Sequence, residues 1–216
     1  MAKTSRISLS AAISDVAERD PVLANLVDLV GPITHRQRDA DGHFGALVRA
    51  IVFQQLAGPA ARAIHQRVRA TVDGDLTPVA LAGVPDEALR AAGLSAAKLA
   101  SLRDLSSKVL DGTVVLERSS RLTDDEIVAR LSTVRGIGRW TAEMYLMFEL
   151  RRLDVWPVDD LGVRHGYGLA WGLDPMPSAK ELAPLGDRFR PYRSVVASYC
   201  WEAVALFRGG TDPSLR

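Results

Sequence analysis

The chain has 216 residues, of which 47% are hydrophobic and 25% are charged, and this composition is typical of a folded globular protein with a sizeable core. Its one cysteine, Cys200, excludes a disulfide framework, a zinc site with the usual four ligands and an iron–sulfur cluster. The 27 basic and 26 acidic side chains give a formal net charge of +1, so any site for a polyanion has to be built locally.

Capping residues, prolines and glycines divide most of the chain into short predicted helices. In the first half, the pattern predicts helices over about 21–30, 42–57, 59–68, 86–92 and 96–111. The capping box T-D-D-E from Thr123 opens another helix, and the only strand-like patch is T-V-V-L-E from Thr113. Since there is no repeat of fixed period and no low-complexity linker, we predict an all-α fold of about ten short helices.

Two glycines enclose one isoleucine in V-R-G-I-G, at the link between a helix from about Asp124 and a helix from about Arg139. Gly136 can take the left-handed conformation that ends a helix, and Gly138 leaves the first amides of the next helix uncovered. Such amides, together with the helix dipole, bind a phosphate without a basic residue, and Arg135 and Arg139 add cationic donors. The alternative is an ordinary helical hairpin with glycine caps, because G-x-G before a helix is common.

Two adjacent acids, Asp159 and Asp160, follow Pro157 and open a new helical pattern. Adjacent acids at the start of a helix are most often only a cap, since their charge suits the helix dipole. Here the pair lies one helix after a candidate phosphate site. A carboxylate held beside a bound DNA backbone can act on the sugar of the same nucleotide.

Two segments together resemble the helix-hairpin-helix signature of the HhH-GPD superfamily of DNA glycosylases. They are L-S-T-V-R-G-I-G-R-W-T-A-E-M-Y and V-W-P-V-D-D-L-G-V-R. Within that superfamily, the chain is most similar to the DNA-3-methyladenine glycosylase II group. The resemblance covers most of the chain, because F-G-A-L-V-R-A-I-V-F-Q-Q-L-A, G-L-S-A-A-K-L-A-S-L-R-D-L and R-P-Y-R-S-V-V-A-S-Y-C-W match further segments in the family's order. We expect a compact form without the N-terminal β domain that the inducible bacterial form carries.

The resemblance implies two helical lobes with a cleft between them that binds DNA and contains the active site. Residues 1–216 would form a single glycosylase unit. Residues 41–150 would form the central lobe, with the helix-hairpin-helix at about 124–150, and residues 1–40 and 151–216 together would form the second lobe.

The resemblance also implies a catalytic aspartate, which falls on Asp160 when the gap from Trp140 is matched without insertions. A register based on the P-V-D of other branches would select Asp159, which we otherwise expect to be a cap or neighbour. Bifunctional relatives carry a Schiff-base lysine near the position of Trp140. Tryptophan there implies a monofunctional enzyme that leaves an abasic site without cutting the strand.

The family extrudes its target base and holds it between aromatic side chains. The implied pocket residues are Trp140 and Trp201, with Tyr145 and Tyr199 as weaker candidates. Without the resemblance, either tryptophan would more often be a core residue than a pocket residue. Gln55, beside Gln54, matches the residue that fills the hole left in the duplex. Its alternative is a polar end of a helix.

The remaining expectations concern the hairpin and the charged surface. The implied phosphate-binding residues are Gly136, Ile137, Gly138, Arg135, Arg139 and Thr141. The resemblance implies no cofactor and no side-chain metal site, but a Na⁺ or K⁺ ion on the carbonyls of Ser132, Val134 and Ile137. We expect Arg49, Arg190 and Arg193 to be either phosphate contacts or solvated side chains.

We therefore predict a monofunctional DNA glycosylase that releases alkylated purines such as 3-methyladenine and 7-methylguanine from double-stranded DNA containing damaged bases. The alternatives are a non-catalytic helix-hairpin-helix protein that binds DNA, and a glycosylase for deaminated bases. No apolar stretch reaches the ~20 residues of a membrane span and no signal-peptide pattern opens the chain. We expect a bacterial, cytoplasmic monomer that acts at the nucleoid and has no membrane partner.

Overall fold

A computed structural model of the protein describes residues 7–117 and 121–208. The chain divides into two compact units, which we call unit 1 (residues 1–36 and 151–216) and unit 2 (residues 37–150). Within the described residues, the ordered elements are α-helices, a π-helical turn at Tyr145–Glu149 and a 3₁₀ turn at Asp187–Phe189, with no β-strand. The prediction of an all-α fold is confirmed. No helix in the described ranges is long and apolar enough to cross a membrane.

Both units are built from short helices. Unit 1 contains α1 (Leu9–Arg19), α2 (Pro21–Val30), α10 (Leu161–Trp171), α11 (Ala179–Leu185) and α12 (Arg193–Arg208). Unit 2 contains α3 (Gly42–Phe53), α4 (Gly58–Ala70), α5 (Pro78–Gly83), α6 (Asp86–Ala91), α7 (Ala96–Leu110), α8 (Asp124–Leu131) and α9 (Arg139–Met144). Isolated helices shorter than about 12 residues are marginal in water, so packing within each unit must stabilise most of them.

Several helices begin at the capping residues that the sequence indicates. The Asp20 carboxylate accepts hydrogen bonds from the amides of Val22 and Leu23 at the start of α2. Thr123 and Glu126 form a reciprocal capping box at the start of α8. Each cap satisfies amides that have no partner within the helix, so these boundaries follow from local sequence.

The end of α3 differs from the prediction. The helix was expected to continue to Gly58, but it ends at Phe53, and residues 54–57 form a turn before α4. Gln54 adopts a ψ of 131° and Gln55 a φ of +55°, so neither backbone continues the helix. The physical reason is Lys98 of α7, whose ammonium group binds the carbonyls of Val52 and Gln54.

The strand-like patch from Thr113 forms no strand. The Val114 amide donates to the Lys108 carbonyl at the end of α7, and Val114 and Leu116 are both buried. The apolar residues of this patch therefore pack a loop on unit 2 and do not pair in a sheet.

Unit 1 packs around the contact between α10 and α12, with α1 and α2 also against α12. At the crossing, a Cβ added to Gly166 would lie 1.8 Å from the Cys200 carbonyl oxygen, so the two backbones are in direct contact. The fully buried side chains of Leu23, Tyr167 and Phe189 belong to the core of this unit. Only glycine at position 166 permits this approach.

Unit 2 packs around α7, which contacts α3, α5 and α6, while α8 packs on α9. Its largest fully buried side chains are Leu47, Ile51, Leu81, Leu89, Leu94, Leu102, Leu105 and Leu131. This leucine-rich core fixes α7 firmly enough for its polar face to position neighbouring loops.

Replacing Gly166 by alanine should destabilise the protein strongly. The new methyl group would overlap the Cys200 carbonyl, so α10 and α12 would have to separate, and we expect the free energy of unfolding to fall by about 3 kcal/mol or more. Urea unfolding followed by circular dichroism measures this loss. The control is Gly83→Ala, where the new Cβ meets nothing within 4 Å and a change of about 0.5 kcal/mol or less is expected. Equal unfolding midpoints for the two variants would contradict the assigned contact.

Candidate active site

The two glycines of V-R-G-I-G have different structural roles. They lie in the segment of residues 132–138 between α8 and α9, which we call the hairpin. Gly136 has a φ of +79°, and a Cβ there would also lie 2.6 Å from the Ser101 hydroxyl oxygen of α7. Gly138 has an extended backbone, and a Cβ there would meet nothing within 4 Å. The first glycine therefore makes the turn and the contact with α7, and the second keeps the approach to the start of α9 bare.

The other predicted hairpin residues divide into exposed and buried groups. Arg135 is exposed, but its backbone amide donates to the Asp104 carboxylate at 2.7 Å. The Arg139 side chain is 59% exposed and pairs with Glu143 one turn later, at 2.9 Å. Ile137 and Thr141 are buried within unit 2. The guanidinium groups of Arg135 and Arg139 are thus the exposed charges of this hairpin, whereas the isoleucine and threonine anchor it.

Asp160 is the N-cap of α10 and is only 8% exposed. Its Oδ1 accepts hydrogen bonds from the Val163 amide at 2.8 Å and from the Trp201 indole nitrogen at 2.9 Å. Asp159 is exposed to solvent. Two donors therefore hold Oδ1 of the Asp160 carboxylate in a defined position, whereas the Asp159 carboxylate is open to solvent.

Gly162 makes the contact between Asp160 and Trp201 possible, and the sequence reasoning missed it. A Cβ at this position would lie 2.8 Å from Trp201 Cδ1 and 3.1 Å from Asp160 Oδ1. The available signal was the spacing of Gly162 and Gly166, since residues four apart share one face of a helix. That glycine face of α10 lies against α12.

The four aromatic residues predicted for a base pocket have different environments. Trp140 is 45% exposed, and Trp201 is partly exposed with its N–H directed at Asp160. Tyr145 is buried edge-on to His43, and Tyr199 is fully buried with its hydroxyl donating to the Gly31 carbonyl. Both tyrosines are therefore packed within their own units, whereas the two tryptophans keep exposed ring surface.

The two glutamines predicted to enter the duplex also differ. We call residues 54–57 the wedge turn. The Gln54 amide nitrogen donates to the Gly136 carbonyl at 2.8 Å and lies 3.5 Å from the Thr141 hydroxyl, so this side chain is held by the hairpin. Gln55 is exposed, as is Leu56, and its left-handed backbone costs a non-glycine residue about 1–2 kcal/mol. Gln55 and Leu56 therefore form the accessible tip of the wedge turn.

The arginines whose role the sequence left open make specific contacts. Arg193 binds the Asp154 carboxylate with its Nε at 2.8 Å, and Arg190 Nη1 binds the same carboxylate at 2.9 Å. The Arg49 guanidinium lies over the Phe53 ring, 4.5 Å from its centroid. In the described residues, no group of three or more His, Cys, Asp or Glu side chains is arranged to hold a metal ion.

Comparisons with known proteins bear directly on this geometry. The family model described as HhH-GPD superfamily base excision DNA repair protein matches residues 48–190, which include the wedge turn, the hairpin and Asp160. The chain is 34% identical over 203 residues to DNA-3-methyladenine glycosylase 1 of Schizosaccharomyces pombe, covering 92% of this chain and 89% of the relative.

Two solved structures share the fold. The Schizosaccharomyces pombe 3-methyladenine DNA glycosylase Mag1 in complex with abasic DNA is similar with a TM-score of 0.78 and 34% identity, over 88% of this chain and 95% of that chain. A DNA-3-methyladenine glycosidase from Bacillus halodurans is similar with a TM-score of 0.85 and 33% identity, over 92% of this chain and 91% of that chain. The chain therefore belongs to the HhH-GPD superfamily of base excision DNA repair proteins.

Proposed function

We propose that this protein is a monofunctional DNA glycosylase that releases alkylated purines of the 3-methyladenine and 7-methylguanine type from damaged double-stranded DNA. The observation that carries the proposal is Asp160, a nearly buried carboxylate fixed by the Val163 amide and the Trp201 indole. The names of the relatives described above support this substrate class, and the complex of one of them with abasic DNA supports DNA as the partner.

The chemistry asks for a carboxylate of this kind. In the proposed reaction, the bond between the purine nitrogen and sugar C1′ breaks, its electron pair leaves with the base, and the sugar becomes oxocarbenium-like. The negative charge of Asp160 stabilises that cation and accepts a proton from the water that adds to C1′. An alkylated purine already carries positive charge and leaves as a neutral base, so the leaving group needs no acid from the protein.

The hairpin supplies the grip on the DNA backbone in this proposal. The bare surface at Gly138 lets a phosphate approach the first amides of α9. The exposed guanidinium groups of Arg135, in the hairpin, and of Arg139, at the start of α9, lie on either side of Gly138 in the sequence. Hairpin carbonyls also bind positively charged groups, since Lys108 Nζ donates a hydrogen bond to the Thr133 carbonyl. This chemistry fits a Na⁺ or K⁺ ion on the carbonyls of Ser132, Val134 and Ile137, with no other cofactor.

We propose that Trp140 packs against the extruded base. Its indole is exposed, and a cationic methylated purine is attracted to an indole face by about 0.5–2 kcal/mol. No lysine stands at this position, so we propose hydrolysis without strand cleavage. Cys200 is no substitute nucleophile, because burial, together with the nearby charge of Asp160, raises the pKa of its thiol far above its usual range.

The proposal includes a setting for the reaction. We infer a monomer that acts on chromosomal DNA in the bacterial cytoplasm. Binding to damaged DNA without base release is the second candidate function, and release of deaminated bases is the third.

Asp160→Asn should separate catalysis from binding. Asparagine keeps an oxygen for the cap and the indole but removes the charge, so base release should fall by about 10²-fold or more with DNA affinity retained. The measurement is the single-turnover rate of base release from a duplex with one 7-methylguanine, in which alkali cleaves the strand at each abasic site formed. The affinity of each variant for the same duplex is measured in parallel. Asp159→Asn is the matched control and should act within about threefold of the parent. The opposite ranking of the two variants would transfer the catalytic role to Asp159.

The parent protein on the same duplex tests the function itself. We expect alkali-sensitive sites, with free 7-methylguanine identified by mass spectrometry and no strand break before alkali. Binding without any released base would favour the non-catalytic candidate, and release only from hypoxanthine or uracil duplexes would favour the deaminated-base candidate.

Gly162→Ala should slow base release while the protein stays folded. The new Cβ would press on the Trp201 ring and on Asp160 Oδ1, so the carboxylate must shift, and small misplacements of a catalytic group cost about tenfold to 10²-fold in rate. The measurement is the single-turnover rate beside the thermal unfolding midpoint. Trp201→Ala, which removes both the donor and the ring atoms that the methyl group would meet, should also slow the reaction. The fold-decrease in rate of the double variant should then be smaller than the product of the two single fold-decreases. A decrease equal to that product would mean that Gly162 and Trp201 act separately.

A further inference from the structure

One face of α7 contacts both loops that the proposed function assigns to DNA. The face consists of Lys98, Ser101, Asp104 and Lys108, whose spacing of three or four residues places them along one side of the helix. Lys98 contacts the wedge turn, and the other three contact the hairpin. All of these groups lie within unit 2.

Lys98 binds the backbone at the start of the wedge turn. Its Nζ donates to the Val52 carbonyl at 2.6 Å and to the Gln54 carbonyl at 2.8 Å. Carbonyls at the end of a helix have no partner in the helix and carry partial negative charge, so a cation there is favourable. Burial lowers the pKa of Lys98, which indicates that this ammonium group is partly removed from water.

The wedge turn needs such support because its conformation is strained. Gln55 has a φ of +55°, and it follows directly on the carbonyl that Lys98 binds. The Gln54 side chain holds the same turn from the other side through the Gly136 carbonyl. Without these contacts the backbone would relax toward negative φ, and Gln55 and Leu56 would point in a different direction.

The hairpin end of the same face is equally well defined. The Asp104 carboxylate accepts hydrogen bonds from the Arg135 amide and from Lys108, and Lys108 also donates to the Thr133 carbonyl. Burial acts to raise the pKa of Asp104, but these two hydrogen bonds outweigh it and the pKa lies below its ordinary value. The Ser101 hydroxyl fills the space beside Gly136. The distance between the wedge turn and the hairpin is therefore set by α7.

We propose that Lys98 is a positioning residue for base extrusion: it holds the wedge turn in register with the hairpin, so that Gln55 enters the duplex where the hairpin grips the backbone. This inference rests on the proposed glycosylase function. It assigns Lys98 to the separation of the base from its stack and not to bond cleavage. Removing the ammonium group should therefore slow the reaction only where the target base has to be unstacked.

The test compares Lys98→Met with the parent on two substrates. The first is a duplex with 7-methylguanine opposite cytosine. The second carries an abasic analogue opposite the same lesion, so extrusion does not have to break a base pair and costs less free energy. We expect Lys98→Met to slow single-turnover release about tenfold or more on the paired lesion and about threefold or less on the unpaired one. Gln55→Ala should show the same contrast, and the double variant should be no slower than Gln55→Ala.

Three comparisons make the result decisive. Lys180→Met, an exposed lysine on α11 of unit 1, should leave both rates unchanged. If Lys98→Met fails to fold, Gln54→Leu removes the other support of the wedge turn and should show the same contrast. Equal slowing on both substrates, or no slowing on the paired one, would overturn the proposal and reduce Lys98 to a structural residue.

A fluorescence measurement separates this proposal from the glycosylase function. In the Asp160→Asn background, 2-aminopurine beside the lesion should brighten on binding as the stack opens, and Lys98→Met should reduce that rise at saturating protein. If the parent released no base but the rise still depended on Lys98, the glycosylase function would fail and the positioning role would stand. If the parent released base and the rise did not depend on Lys98, only the positioning role would fail.

Discussion

The candidate active site depends on a backbone contact between α10 and α12. A Cβ at Gly166 would lie 1.8 Å from the Cys200 carbonyl oxygen, so a larger residue would force the helices apart. Trp201 follows Cys200 directly, and Asp160 caps the start of α10. The approach of the two helices therefore decides whether the indole N–H reaches the carboxylate, and helix packing and active-site geometry are a single constraint.

Unit 2 uses the same principle for a different task. Gly136 allows the hairpin to approach α7, because a Cβ there would overlap the Ser101 hydroxyl. Once the hairpin and α7 are in contact, the polar face of α7 reaches backbone groups in both the hairpin and the wedge turn. In each unit a glycine permits close approach, and polar side chains then fix the geometry that the approach makes possible.

Features that depend on local sequence could be predicted, and those that depend on distant contacts could not. The cap hydrogen bonds of Asp20 and the left-handed backbone of Gly136 depend on nearby sequence, and both are observed, although α8 ends at Leu131 and not at Gly136. The end of α3 was missed because Lys98, more than forty residues later, binds its last carbonyls. The burial of Tyr199 could not be predicted either, because the Gly31 carbonyl that its hydroxyl binds is 168 positions away in the sequence.

Several basic side chains of unit 2 already have partners within the protein. Lys98 and Lys108 donate to backbone carbonyls, and Arg139 pairs with Glu143, so several basic groups near the hairpin already have partners. Non-specific affinity for DNA grows with the number of phosphates that lysine and arginine neutralise, so basic groups that already have partners contribute less to it than free ones would. In the proposed function, discrimination between damaged and intact bases comes instead from extruding the base and fitting it beside Asp160.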